Sequence, residues 1–339
     1  MKKFLRALGS IRLALVGMVL LGVGAALSYD NPAGTPVWVL VVPLALLAIN
    51  LFCAIATNPR INRRPGLLVF HLGLFAIIVL AGIGRLTHLD AQLEITEGSA
   101  FSPGELTEVK KGPFHGEGLS KVAFIQGNYT VEYNAGLVRG LTHSQVLIPD
   151  GRGGVMSRVV GDDRPLVLEG YRFYTTYNKG FAPVLTWTPD QGESMTGTIH
   201  MPSYPLFDYK QDSTWTPPGG KPLRFWLRLD TGLRQDAAWL LDGKKASGVL
   251  VVNAGERRVE LLPGQSVRLE GGSLRYERLT SWMGYKVFYD PTLRWLFIAA
   301  VVSIMGLGAH FWRKFGVRMQ RTHESSVTDT PVASSGRMP

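Results

Sequence analysis

The chain has a single cysteine, Cys53, among 339 residues. One thiol excludes an intramolecular disulfide and any Cys-x-x-Cys redox or zinc pair. Within an apolar run it reads as a small buried hydrophobe. Catalytic signatures are also missing: no Gly-x-Ser-x-Gly, no His-Glu-x-x-His and no phosphate loop occurs. His88, His115, His143 and His200 are scattered rather than set at metal-ligand spacing, so they are expected as surface or capping residues. Asp162 and Asp163 read as a solvated turn before Pro165. The chain is not expected to be an enzyme.

Basic charge is abundant, at net +10, yet it is missing from the middle of the chain. Residues 86–289 sum to a net charge of about zero. The excess lies at the ends and in short loops: Lys2, Lys3, Arg6, Arg12, Arg60, Arg63, Arg64, Arg313, Lys314, Arg318 and Arg321. That distribution argues against nucleic acid, which calls for a basic patch on a folded domain. It matches the bias of cytosolic loops around membrane helices. Four apolar runs stand between these basic clusters, at about 13–28, 37–56, 67–84 and 292–312. Each is near the length that crosses a ~30 Å hydrocarbon core. The first follows a basic N-terminus like a signal peptide, but another apolar run follows closely, so a retained anchor is expected. The first loop has Asp30 and no cation, whereas the second has Arg60, Arg63 and Arg64. The expected topology puts residues 1–12, the second loop and the tail 313–339 in the cytosol, and segment 86–290 outside. The end of that tail is rich in Ser, Thr and Pro and is expected to be disordered.

Segment 86–290 lacks any long amphipathic helix pattern. Short β-branched or alternating runs recur at 92–96, 121–126, 129–133, 144–148, 166–176, 223–229, 248–253, 259–262 and 284–289, divided by Gly, Pro, Asn and Asp. The predicted fold class is a four-helix membrane protein with an all-β extracytoplasmic domain, a sandwich or barrel-like sheet.

Two histidines fall at membrane depth. His71 lies about 6 Å into the third run from its cytosolic end at ~1.5 Å per residue. Ionisable residues there tend to face a protein interior or a pathway, and neutral imidazole is an axial ligand for haem iron. The competing reading is a hydrogen bond between helices, to Asn50 for example. His310 sits beside Phe311 and Trp312 near the interface and is the weaker candidate. Both fall on the cytosolic side, which leaves a shared site open. Arg63 and Arg64 are placed to meet anionic groups of a ligand near His71.

Several segments together resemble the ResB family (also called CcsB) of cytochrome c biogenesis proteins. These are the opening FLRALGSIRLALVGMVLL, the third run GLLVFHLGLFAIIVLAGIGRL, the middle segment RPLVLEGYRFYTTYNKG, and the return GYKVFYDPTLRWLFIAAVVSIMGLGAHFW. Their order, three spans before the outer domain and one after, is the specific part. The resemblance implies a bacterial cytoplasmic-membrane subunit of System II cytochrome c maturation. It would work with a CcsA-type partner to carry haem outward for attachment to apocytochrome c, with a thioredoxin-like thiol reductant as a further partner. The family's membrane histidine falls on His71, with haem ligation as its implied role; Arg63 and Arg64 would then face the propionates. The outer domain is shorter than in most such proteins, and the partner's tryptophan-rich haem motif is absent from this chain. A scaffold that binds apocytochrome or a thiol reductant through its outer domain, without touching haem, is the alternative.

Overall fold

Each long apolar run forms a helix, because within a bilayer the backbone must satisfy its own polar groups. The computed structural model describes residues 2–32, 34–230 and 233–327. The chain divides into two compact units, one helical and one β, as the composition predicts.

The helical unit holds α1 (Lys2–Leu8), α2 (Ile11–Asp30), α3 (Trp38–Thr57), α4 (Pro59–Asn62), α5 (Pro65–Thr87) and α6 (Leu293–Val327). Helices α2, α3, α5 and the Leu293–Lys314 part of α6 are long and apolar enough to cross a membrane. The chain is therefore a multi-pass membrane protein. Leu15, Val19, Val42, Phe52, Leu72 and Ile304 lie exposed on these helices, which suits lipid and not water. Helix α6 continues to Val327, so the cytosolic tail expected from 313 is helical that far, including the start of its end expected to be disordered. Its Arg, Lys, Met and Gln residues are good helix formers and extend the ladder beyond the apolar run. The remainder of that tail, 328–339, lies outside the described residues.

Polar side chains close the gaps between these helices. Ser10 caps α2 by accepting from the Leu13 N–H at 3.4 Å. Buried Asn50 of α3 donates to the carbonyls of Leu8 and Ser10, at 2.6 and 2.9 Å. It thus satisfies backbone acceptors left open where α1 ends. Cys53 is buried. Helices α5 and α6 meet through small residues: a Cβ on Gly306 would lie 2.7 Å from the Phe70 nitrogen, and one on Gly66 would lie 2.7 Å from the His310 nitrogen. Such close backbone approach is how membrane helices gain packing energy. On the other side of α5, Phe75 meets Phe52 of α3 at 5.9 Å.

The β unit contains β1 (Leu89–Thr96), β2 (Thr107–Lys111), β3 (Ile125–Asn134), β4 (Val138–Pro149), β5 (Val155–Gly161), β6 (Leu166–Leu168), β7 (Tyr171–Pro189) and β8 (Met195–Thr198). It continues with β9 (Asp212–Trp215), β10 (Leu223–Leu229), β11 (Trp239–Asp242), β12 (Gly248–Ala254), β13 (Arg257–Leu261), β14 (Ser266–Leu269) and β15 (Gly272–Tyr289). They form three antiparallel sheets. The largest runs β2-β1-β15-β7-β6, with β14 beside β15 and β8 beside β7; the others are β13-β12-β10-β9 and β11-β3-β4-β5. Strands β7 and β15 pair along nearly their whole length, from Gly272 opposite Pro189 to Phe288 opposite Arg172. The first and last strands are neighbours, with Leu89 opposite Tyr289.

The expected strand at 121–126 begins only at Ile125, after a 3-10 turn at Gly118–Lys121. The expected strand at 166–176 is two strands, broken where Glu169 and Gly170 adopt positive φ of 50° and 84°. Strands β2, β5, β8, β9, β11 and β14 have no counterpart in the sequence reading. β2 and β8 are exposed throughout and so lack the alternation that marks a half-buried strand.

A buried ring of hydrogen bonds pins the sheets together. Tyr285 donates to Gln126 Oε1 at 2.8 Å, Gln126 Nε2 donates to Ser144 at 2.8 Å, and Ser144 lies 2.6 Å from the Tyr285 hydroxyl. With the tyrosine proton already given to Gln126, the serine must donate to Tyr285. Burial pushes the Tyr285 hydroxyl well above its ordinary range, and the bonds to Ser144 and Gln126 offset only part of that rise.

Candidate functional site

The candidate site begins at the start of α5. Pro65 sets the first turn, where its missing N–H costs nothing. His71 follows about 9 Å further along the axis, with its ring half-buried. Its Nδ1 lies 2.7 Å from the Leu67 carbonyl. A carbonyl only accepts, so Nδ1 carries the proton and the lone pair resides on Nε2. No described residue hydrogen-bonds Nε2. The Phe70 ring stands edge-on to the imidazole at 5.1 Å. A ring nitrogen bound to a backbone carbonyl, with the other left bare, is the arrangement that orients a metal-ligating histidine. His71 thus fits an iron ligand by tautomer and access.

The bond to Asn50 offered as the competing reading is not formed: Asn50 donates to the carbonyls of Leu8 and Ser10, and His71 Nδ1 bonds the Leu67 carbonyl instead. The structure also separates His71 from His310. Gly66 faces His310 across the α5–α6 contact, and His71 lies roughly 140° around α5 from Gly66 at 100° per residue. It falls on the side of Phe75, which packs on α3. His310 lies half-buried against Phe311, with ring centroids 5.6 Å apart. A shared two-histidine site is therefore not built.

Arg63 ends α4 and Arg64 precedes α5. Both are exposed, and neither makes an ion pair among the described residues. Arg64 stands seven residues before His71, or about 10 Å along the helix. Their charge is available to an anionic group near the start of α5.

In the β unit the histidines serve local structure. Nδ1 of His200 is 3.3 Å from Glu94 and Nε2 is 2.8 Å from the Thr96 hydroxyl, while the ring stacks on Trp282 at 5.1 Å. His143 is exposed, 3.8 Å from Glu132. In the helical unit, His88 ends α5 and bonds the Arg85 carbonyl at 2.9 Å, and His115 bonds the Thr87 carbonyl at 2.8 Å. Among the described residues no three His, Cys, Asp or Glu side chains group to hold a metal ion.

Asp162 is not the freely solvated turn residue that the sequence suggests. It accepts from Arg139, from the Thr142 N–H at 3.0 Å and from the Thr175 hydroxyl at 2.8 Å. Burial pushes its pKa up, but these bonds and the Arg139 charge outweigh that and hold the carboxyl below its ordinary range. Arg139 also covers the Tyr177 ring at 4.3 Å. Beside this brace lies Lys179, 1% exposed. Its ammonium donates to the Tyr177 carbonyl at 3.3 Å and faces the Tyr133 ring at 6.0 Å. Burial, with repulsion from Arg139, lowers its pKa to about 8. Neither Arg139 nor Lys179 stands out in the sequence, where a lysine between Asn178 and Gly180 looks like any turn cation.

No curated protein matches the chain. Among family models, the one described as the ResB-like family matches residues 54–330, which is most of the chain.

Proposed function

Because this chain belongs to the ResB-like family, and so has a role in cytochrome c biogenesis, we propose that it is the membrane subunit that assists haem transfer in System II maturation. In this reading haem is cargo and the chain performs no covalent step itself. It acts beside a CcsA-type partner that presents haem to apocytochrome c, with a thioredoxin-like reductant keeping the acceptor thiols free. The observation that carries the reading is the state of His71: proton held on Nδ1 by the Leu67 carbonyl, Nε2 bare, within an apolar span. That is the form in which imidazole binds haem iron. Arg63 and Arg64 supply cations for the propionates. The bundle holds α5 between its contacts with α3 and α6, so the imidazole is presented from a rigid element.

The basic loops carrying Arg60, Arg63, Arg64 and Arg313 support a bacterial inner-membrane topology with both termini cytosolic and the β unit outside. Haem would then meet His71 at the cytosolic side first. The test is the absorption spectrum of the protein purified with its partner. His71→Ala is expected to reduce haem content and shift or remove the Soret band. An unchanged spectrum in an intact complex would leave the scaffold reading, in which the β unit binds apocytochrome or a thiol reductant and His71 only packs.

A further inference from the structure

Three buried side-chain atoms lack a hydrogen-bond partner among the described residues: Asn128 Oδ1, Gln211 Oε1 and Trp239 Nε1. Gln211 is 1% exposed and lines a recess of about 290 Å³. Its amide orientation is fixed. Nε2 donates to the carbonyls of Pro202 at 2.9 Å and Phe207 at 2.7 Å. Turning the amide over would set Oε1 against two carbonyl oxygens, which only accept. Oε1 therefore stays an acceptor with no donor. A buried acceptor left unmet is destabilising, and a donor reaching it from the recess would relieve that cost.

The rest of the lining says which donor. Trp226, Leu229 and Leu233 give an aromatic and apolar wall. Asp208 also lines the recess; it is exposed and makes no ion pair among the described residues. Arg228 lines it too, but Glu260 holds that guanidinium through two contacts at 3.3 and 3.2 Å. The positive charge at the recess is answered and the negative one is not. The volume sits at the lower end of ligand pockets, near ~300 Å³, and suits a side chain better than a large cofactor.

We propose that this recess binds the ammonium or guanidinium group of a lysine or arginine side chain on a polypeptide partner. Its N–H donors meet Gln211 Oε1 and the Asp208 carboxylate, and its methylene stem lies along Trp226. Tryptophan faces attract such cations, and long cationic side chains bury their stems on apolar walls. The inference stands on the β unit alone and is independent of any role of His71.

The experiment uses the full chain in detergent and fluorescently labelled ten-residue Gly/Ser peptides carrying one lysine, arginine or norleucine, read by fluorescence polarisation. The cationic peptides are expected to bind at least about tenfold more tightly than the norleucine peptide. Asp208→Asn and Trp226→Ala should each weaken the cationic peptides by roughly tenfold and leave the thermal midpoint within a degree or two. Asp208 is exposed, so its variant keeps the fold even if Trp226→Ala does not. Competition by methylamine as effective as by the lysine peptide would assign the recess to a free small amine and overturn the polypeptide partner. Equal binding of the norleucine peptide, unchanged binding in Asp208→Asn, or no binding at all would overturn the site.

Discussion

Single residues in this protein are read by what their polar atoms can still bond. His71 was legible in the sequence because an imidazole inside an apolar run has few neighbours to explain it. Its partner was not, since the choice between Asn50 and the Leu67 carbonyl depends on helix rotation. Lys179 and Gln211 were illegible for a related reason: strands and turns distant in sequence bury them. Lys179 makes a pH prediction. Its pKa falls from 10.5 unfolded to about 8 folded, so the unfolded chain holds more protons between those values. Stability therefore rises with pH from about 8 to 10.5, and the burial penalty of ~3 kcal/mol is fully present below that window. Lys179→Met should remove this component. Denaturation midpoints of both proteins at pH 7, 8, 9 and 10 measure it. Equal pH slopes would show that Lys179 keeps its proton throughout.

At the scale of elements, the α5–α6 contact depends on backbone approach. Gly306→Leu should cost about 1–3 kcal/mol, as overpacking does, because its Cβ meets the Phe70 nitrogen at 2.7 Å. Gly308→Leu, two residues on, meets nothing within 4 Å and should be near neutral. Thermal unfolding of the two variants in detergent distinguishes them, and equal losses would contradict the contact. The four spans were legible from their length and apolarity. Edge strands such as β2 and β8 were not, since strands exposed on both faces show no alternation. The long β7–β15 pairing was half legible: its segments 171–176 and 284–289 stood out, but Asn178, Lys179, Gly180 and Pro183 read as a break in β7, and Arg275, Glu277 and Arg278 interrupt the apolar pattern of β15.

At the scale of the whole molecule, charge placement is the guide to function. The β unit is nearly neutral and the helix-flanking segments are basic, so the topology follows from loops and not from the fold. A cysteine-accessibility map checks this on a Cys53→Ala background, where no other thiol exists. A cysteine replacing Ser157 should react with an impermeant maleimide on intact cells, and one replacing Asn62 should not. The reverse pattern would invert the protein and put His71 on the wrong side to receive cytosolic haem.

Haem ligation by His71 is tested by chemical rescue of the ligand itself. In the complex of His71→Gly with its partner, the missing side chain leaves room for free imidazole. Adding imidazole is expected to restore the wild-type Soret band and haem content in proportion to its occupancy, while a ligand-incompetent isostere such as cyclopentane is not. A wild-type spectrum in His71→Gly before imidazole is added would contradict haem ligation by His71.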